Sequence, residues 1–113
     1  MTPKTWALGA LLFPSLAVSS PALADDWTIT AHATEIEVSY VPDRILFKID
    51  QAAGTCAAGT QLTWNAHGST DAKQAANTAA ATSALMTSIA SGKNVKIIGN
   101  NANCVVNFMY LEN

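Results

Sequence analysis

Charge is scarce in this chain. Only 12% of its 113 residues are Asp, Glu, Lys or Arg, and the six basic residues, Lys4, Arg44, Lys48, Lys73, Lys93 and Lys96, never cluster. A protein that holds a phosphate backbone needs a basic patch or stripe, so the sequence argues against nucleic-acid binding. Histidine is limited to His32 and His67, and cysteine to Cys56 and Cys104. Neither pair has the spacing of a metal site, so no zinc and no cofactor is expected. The glycines of "GTCAAGT", from Gly54, lack the lysine and the following helix of a phosphate loop. His67, in "NAHGST", is a lone loop histidine, more often a solvated or hydrogen-bonding residue than a base. Glu35 and Glu37 lie two apart on one strand face, whereas glycoside hydrolysis needs carboxylates facing each other across a substrate. No nucleophile, base or carboxylate pair is assembled, and the chain is read as a protein other than an enzyme.

What is present begins with an apolar N-terminal stretch. Lys4 is the only charge in residues 1–24, an apolar run extends from Trp6 to Val18, and the stretch closes on Ala22-Leu23-Ala24. A charged start, a short apolar centre and an A-x-A ending are the parts of a secretory signal peptide. The run is shorter than the roughly 20 residues that span a bilayer, and Pro14 interrupts it. Residues 1–24 are therefore expected to be removed, leaving 25–113 as a single domain exported to a bacterial periplasm or beyond, with no membrane span. Five basic residues then face eight acids, so the mature chain is mildly acidic.

Both cysteines fall in that domain, and an exported chain meets an oxidising compartment. Cys56 joined to Cys104 is the expected pairing; two free thiols or half a metal site are the alternatives. The closed loop would add about 4 kcal/mol at most by chain entropy.

Hydrophobic patterning supplies the elements. "TEIEVSYV" (34–41) alternates with Ile36, Val38 and Tyr40 on one face, which predicts a half-buried strand. Pro42-Asp43 makes a turn. "RILFKID" alternates again, with Ile45, Phe47 and Ile49 inward. A glycine-punctuated loop follows, then a short strand with Leu62 and Trp64 on one face. The spacing predicts a helix over about 72–90, with Asp71, Thr70 or Ser69 as cap. Ala75, Ala79, Thr82, Met86 and Ile89 form its expected buried stripe. Gly92 is the expected left-handed stop. "NVKIIG" is a fourth strand, with Val95 and Ile97 inward. "CVVNFMYL" is a fifth, apolar on both faces, with Cys104, Val106, Phe108 and Tyr110 on one and Val105, Met109 and Leu111 on the other. Such a strand is covered on both sides, by the helix and by a neighbouring subunit or loop. The fold predicted is mostly β with one helix, a five-stranded OB-fold-like barrel in the order β-β-β-α-β-β.

The start "DDWT", the Gly-Thr loop with its cysteine, a Trp before the helix and above all "IASGKNVKIIG" (89–99) resemble the B subunits of bacterial AB5 toxins, in particular the subtilase-cytotoxin and typhoid-toxin group. That resemblance implies an exported OB-fold subunit that assembles head to tail into a ring and binds sialylated glycans. The family's disulfide lies on its second and third strands, whereas Cys104 stands at the fifth, and no sugar-binding residue of the family is carried over. The alternative is an exported module that binds or inhibits another protein. For a ligand site, Asn65 and His67 are the polar loop residues of choice beside Trp64, although Trp64 shares a face with Leu62 and so is expected mainly in the core. Trp27, near the expected mature terminus, is either exposed or an anchor.

Overall fold

A computed structural model describes residues 25–113; the expected signal peptide lies outside them. Six strands and one helix follow in order: β1 Trp27–Ala31, β2 Ala33–Glu37, β3 Arg44–Ile49, β4 Leu62–Asn65, α1 Asp71–Ser91, β5 Asn94–Asn100 and β6 Val105–Glu112, with a short 3-10 turn at Ala102–Cys104. The described residues are thus mostly β with one helix, but they form six strands where five were predicted. The additional strand is β1. Its alternation of Trp27, Ile29 and Ala31 with Thr28 and Thr30 is not among the predicted strands; its partner β5 lies about 70 residues on, where Trp27 stands opposite Gly99 and Ala31 opposite Val95.

The strands form one sheet in the order β1-β5-β6-β4-β3-β2. Neighbours are antiparallel except β4 and β6, which run parallel through Thr63–Val105 and Trp64–Val106. The two edge strands, β1 and β2, are consecutive in the chain with only His32 between them. The sheet therefore curls into a half-barrel whose two edges meet in one bent segment. Its inner face carries the buried Ile45, Phe47, Ile49, Leu62, Trp64, Val95, Ile97 and Val106, and Leu85 of the helix joins this core.

Strand alternation holds wherever pairing is regular. It fails where the first predicted strand was extended too far. β2 stops at Glu37, opposite Leu46. Val38 and Tyr40 are half exposed rather than inward, and Val41 beyond them is half exposed too. Residues 38–43 are used to reverse the chain: Asp43 and Arg44 donate their amides to the Tyr40 carbonyl at 2.9 and 3.2 Å, and Pro42, on a cis peptide bond, has no amide to offer a sheet.

The faces of β6 are also redistributed. Ile98 pairs with Phe108 but Gly99 pairs with Val106, so Asn107 is an extra residue. A bulge of this kind moves every later side chain to the other face. Val106 and Met109 turn inward, while Phe108 and Tyr110 are about half exposed. Phe108 and Tyr110 do not share Val106's face, as simple alternation predicted. The Asn107 side chain secures the bulge by donating to Asp25 Oδ1 and Asn100 Oδ1 at 2.7 and 2.6 Å.

The helix starts and stops where local chemistry dictates. Thr70 is the cap, its Oγ1 accepting from the Lys73 amide at 3.2 Å, and Gly92 ends the helix at φ 75° with its amide on the Ser88 carbonyl. Its rotation differs from the prediction. The buried residues are Thr78, Ala81, Leu85 and Ser88, whereas Ala75, Ala79, Met86 and Ile89 are exposed. Polar anchors help to set this rotation. Ser88 Oγ accepts from the Ala33 amide at 3.0 Å and donates to the Lys93 carbonyl at 2.7 Å. Thr78 Oγ1 donates to the Pro42 carbonyl at 2.7 Å. Buried polar groups with such partners cost nothing net, and turning the helix would orphan them.

Trp27 is buried and anchors the N-terminal edge. Gly99, on the paired strand, leaves room for its ring: a Cβ there would collide with the indole and with the Val105 carbonyl. Cys56 and Cys104 are joined, with Cα atoms 6.0 Å apart. The bridge ties the 51–60 loop to the turn before β6. Thr55 adds to it by donating its amide to Asn101 Oδ1 at 2.9 Å.

His32 and Asp50 clasp the bend between β1 and β2. Asp50 Oδ1 accepts the His32 amide at 2.9 Å, the Asp50 amide donates to the His32 carbonyl at 3.1 Å, and Oδ2 lies 3.2 Å from His32 Nδ1. The His32 amide, aided by the imidazole and opposed by slight desolvation, holds the Asp50 carboxyl below its ordinary range. A depressed carboxyl stabilises the fold above the unfolded value, about 3.9, and that contribution disappears as pH falls through the folded value. In denaturation curves, the stability difference between wild type and Asp50→Asn should therefore stay level above about pH 5 and shrink below about pH 4. A difference that widens on acidification would refute the clasp.

Candidate functional site

Two of the three residues chosen from sequence, Trp64 and His67, come together, but as part of the framework. Trp64 is buried, and its Nε1 donates to Asn77 Oδ1 at 2.9 Å. The same oxygen accepts the His67 amide at 3.0 Å. The imidazole of His67 stacks on the Trp64 indole, with centroids 4.5 Å apart. Asn77, nearly two turns into α1, thus clips β4 and its following loop to the helix; nothing in the sequence marked it. Asn65 is exposed at the end of β4, opposite Arg44. The depression beside this cluster, lined by Trp64, Asn77, Ala80, Ala81, Ala84 and Met109, holds only about 170 Å³. Its Trp64 Nε1 and Asn77 Oδ1 are committed to each other.

The carboxylates are committed too. Glu35 pairs with Lys48 at 3.0 Å, and Glu37 accepts from the Gln61 side chain at 3.2 Å. Among the described residues no group of three or more His, Cys, Asp and Glu is placed to hold a metal ion. Among them, too, no helix is long and apolar enough to cross a membrane.

Two other surfaces carry unpartnered apolar side chains. The first is the outer face of β1, β5 and β6. Phe108 lies opposite Ile98, which lies opposite Thr28; Tyr110 lies opposite Lys96, which lies opposite Thr30. Lys96 Nζ sits 4.8 Å from the Tyr110 ring centroid and 3.7 Å from Glu112 Oε2. Two half-exposed aromatic side chains therefore stand on the outside of the sheet, bordered by the exposed Thr28 and Thr30 and by the Lys96 ammonium and Glu112 carboxylate. The bulge at Asn107 creates this face by turning both rings outward. Its trace in the sequence is that the last strand is apolar on both sides, although which residues faced out could not be read.

The second surface is a groove of about 490 Å³ between α1 and the β2–β3 connection, lined by Val38, Val41, Pro42, Ala75, Thr78, Ala79 and Thr82. Its helix side is the small-residue stripe that the sequence predicted to be buried.

Comparison with known protein families, with characterised proteins and with solved structures finds no match to this chain.

Proposed function

We propose that this protein is an exported binding module, not an enzyme, and that it recognises a glycan on the outer face of β1, β5 and β6. The observation that carries this reading is the outward pair Phe108 and Tyr110. Aromatic rings offer an apolar platform to the C–H face of a sugar ring, while Thr28, Thr30 and Lys96 supply hydroxyl and ammonium partners for its oxygens. An exposed apolar patch rimmed by polar groups is the usual mark of an interaction site. The topology supports an OB-fold as the scaffold. Counting β1 and β2 as one bent strand leaves five, with the helix between the third and fourth and the third parallel to the fifth, and that fold is used for oligosaccharides. The Cys56–Cys104 bridge and the signal-like start support export.

The test is a glycan array probed with the exported protein, including sialylated and neutral glycans. A selective signal is expected, weakened roughly tenfold or more by Tyr110→Ser, since losing one well-packed aromatic contact is worth about 1.5–3 kcal/mol. A silent array, or binding indifferent to Tyr110 and Phe108, would refute it.

A protein ligand is the second reading, and one observation favours it. β4 meets β6 only at Val105 and Val106, so beyond Asn107 the strand β6 is paired on one side, by β5. An open strand edge can accept an extended segment of another chain. Amide hydrogen exchange of this protein, with and without the bound partner, would show new protection within 108–112 in this case and not for a glycan.

A further inference from the structure

The 21-residue helix α1 carries two apolar stripes, not one. Thr78, Ala81, Leu85 and Ser88 face the core. Ala75, Ala79, Thr82, Met86 and Ile89 form the second, turned about 100° away at 3.6 residues per turn. Successive spacings in the second stripe are four, three, four and three residues, the period of a helix–helix seam. Met86 and Ile89 are 58% and 45% exposed, and Val38, Tyr40 and Val41, beside the other end of the stripe, are 52%, 43% and 47% exposed.

We propose that this stripe pairs α1 with α1 of a second copy, antiparallel and about a two-fold axis at Thr82. The proposal is independent of the ligand reading, which uses a different surface. The register follows from size. With Thr82 against Thr82 of the second copy, Ala79 meets Met86 and Ala75 meets Ile89. Each small residue faces a large one, and the bulky C-terminal half of one helix enters the groove beside the small N-terminal half of the other. A two-fold axis makes both contacts at once. Charge agrees with this arrangement. Asp71, in the first helical turn and without an ion pair among the described residues, comes to the end of the other helix, where Lys93 follows Gly92. Antiparallel helices also bring opposite macrodipole ends together. Covering the stripe and the exposed halves of Val38, Tyr40 and Val41 removes on the order of 600 Å² per copy, about 1,200 Å² in the pair, which reaches the lower range of specific interfaces. This isologous pair differs from the head-to-tail ring that the toxin-subunit resemblance implies.

The experiment is sedimentation velocity on the exported protein across the micromolar range. A mass twice that of the chain is expected. Met86→Glu should weaken the association roughly tenfold or more, because it places a charge in an apolar seam. Since Met86 points away from the core, its circular dichroism should be unchanged. Phe108→Ser should leave the pair intact. Thr82→Cys, at the axis, should cross-link two copies on mild oxidation, whereas Ala75→Cys should not. A monomer throughout, a five-fold mass, or a pair that survives Met86→Glu or dissolves with Phe108→Ser overturns the proposal. Failure of Thr82→Cys to cross-link overturns the antiparallel register.

Discussion

Leu85→Ala is expected to remove roughly 2–5 kcal/mol of stability, while its neighbour Met86→Ala changes it by less than about 0.5 kcal/mol in solutions dilute enough to keep copies apart. Leu85 is fully buried, and it is the one large side chain that the helix commits to the core. Its truncation loses the transfer energy of the removed carbons and leaves a cavity that the rigid sheet beneath cannot close. In a domain of this size the melting temperature should fall by roughly 10–25 °C. Met86 stands one residue on, 100° around the helix and more than half exposed. Thermal and urea unfolding of the two variants measures the helix rotation directly. A larger loss for Met86→Ala than for Leu85→Ala would mean that α1 faces the sheet with the stripe that includes Met86, and equal losses would refute the rotation described.

Replacing Cys56 and Cys104 together by alanine is expected to cost up to about 4 kcal/mol, the loop-closure entropy of a bridge that spans 48 residues. For a small domain this is a large share of the total. The loss has a local component as well. Cys56 is buried, and the 51–60 loop is otherwise held by the reciprocal amide bonds of Ala53 and Cys56, at 2.8 and 2.9 Å, and by Thr55 on Asn101. Without the bridge, the turn that positions β6, in which Asn103 and Cys104 have φ of 56° and 51°, loses its covalent tether. Non-reducing peptide mapping should recover the Cys56–Cys104 peptide, and reductant should lower the urea midpoint of wild type but not of the double variant. An unchanged midpoint in reductant would show that the bridge is dispensable.

Several features were legible in the chain because they depend on near neighbours. The alternation of Ile45, Phe47 and Ile49, and of Leu62 and Trp64, follows from the two-residue period of a strand, and these residues are buried as expected. Gly92 marks the helix end because glycine tolerates positive φ, and the start was legible as Ser69, Thr70 or Asp71, of which Thr70 is the cap. The cysteine pairing followed from there being two. The candidate site was less legible. Asn65 and His67 were the polar loop residues of choice beside a Trp64 expected mainly in the core, yet Asn77, from the first third of an alanine-rich helix, engages both Trp64 and His67.

The period of the regular strands, the ends of the helix and the disulfide were determined by the sequence alone, since dihedral sterics and hydrogen-bond chemistry act over a few residues. The tertiary structure decided the rest. It chose between two apolar stripes of α1, because only one lets Ser88 satisfy both Ala33 and Lys93 and Thr78 reach Pro42. Through the β5–β6 register, it placed an extra residue at Asn107 and so turned Phe108 and Tyr110 to the outside. It made a strand of Trp27–Ala31 by supplying β5 as a partner. Each of these depends on groups far apart in the chain, and side-chain period alone carries no information about which distant backbone a strand or helix will meet.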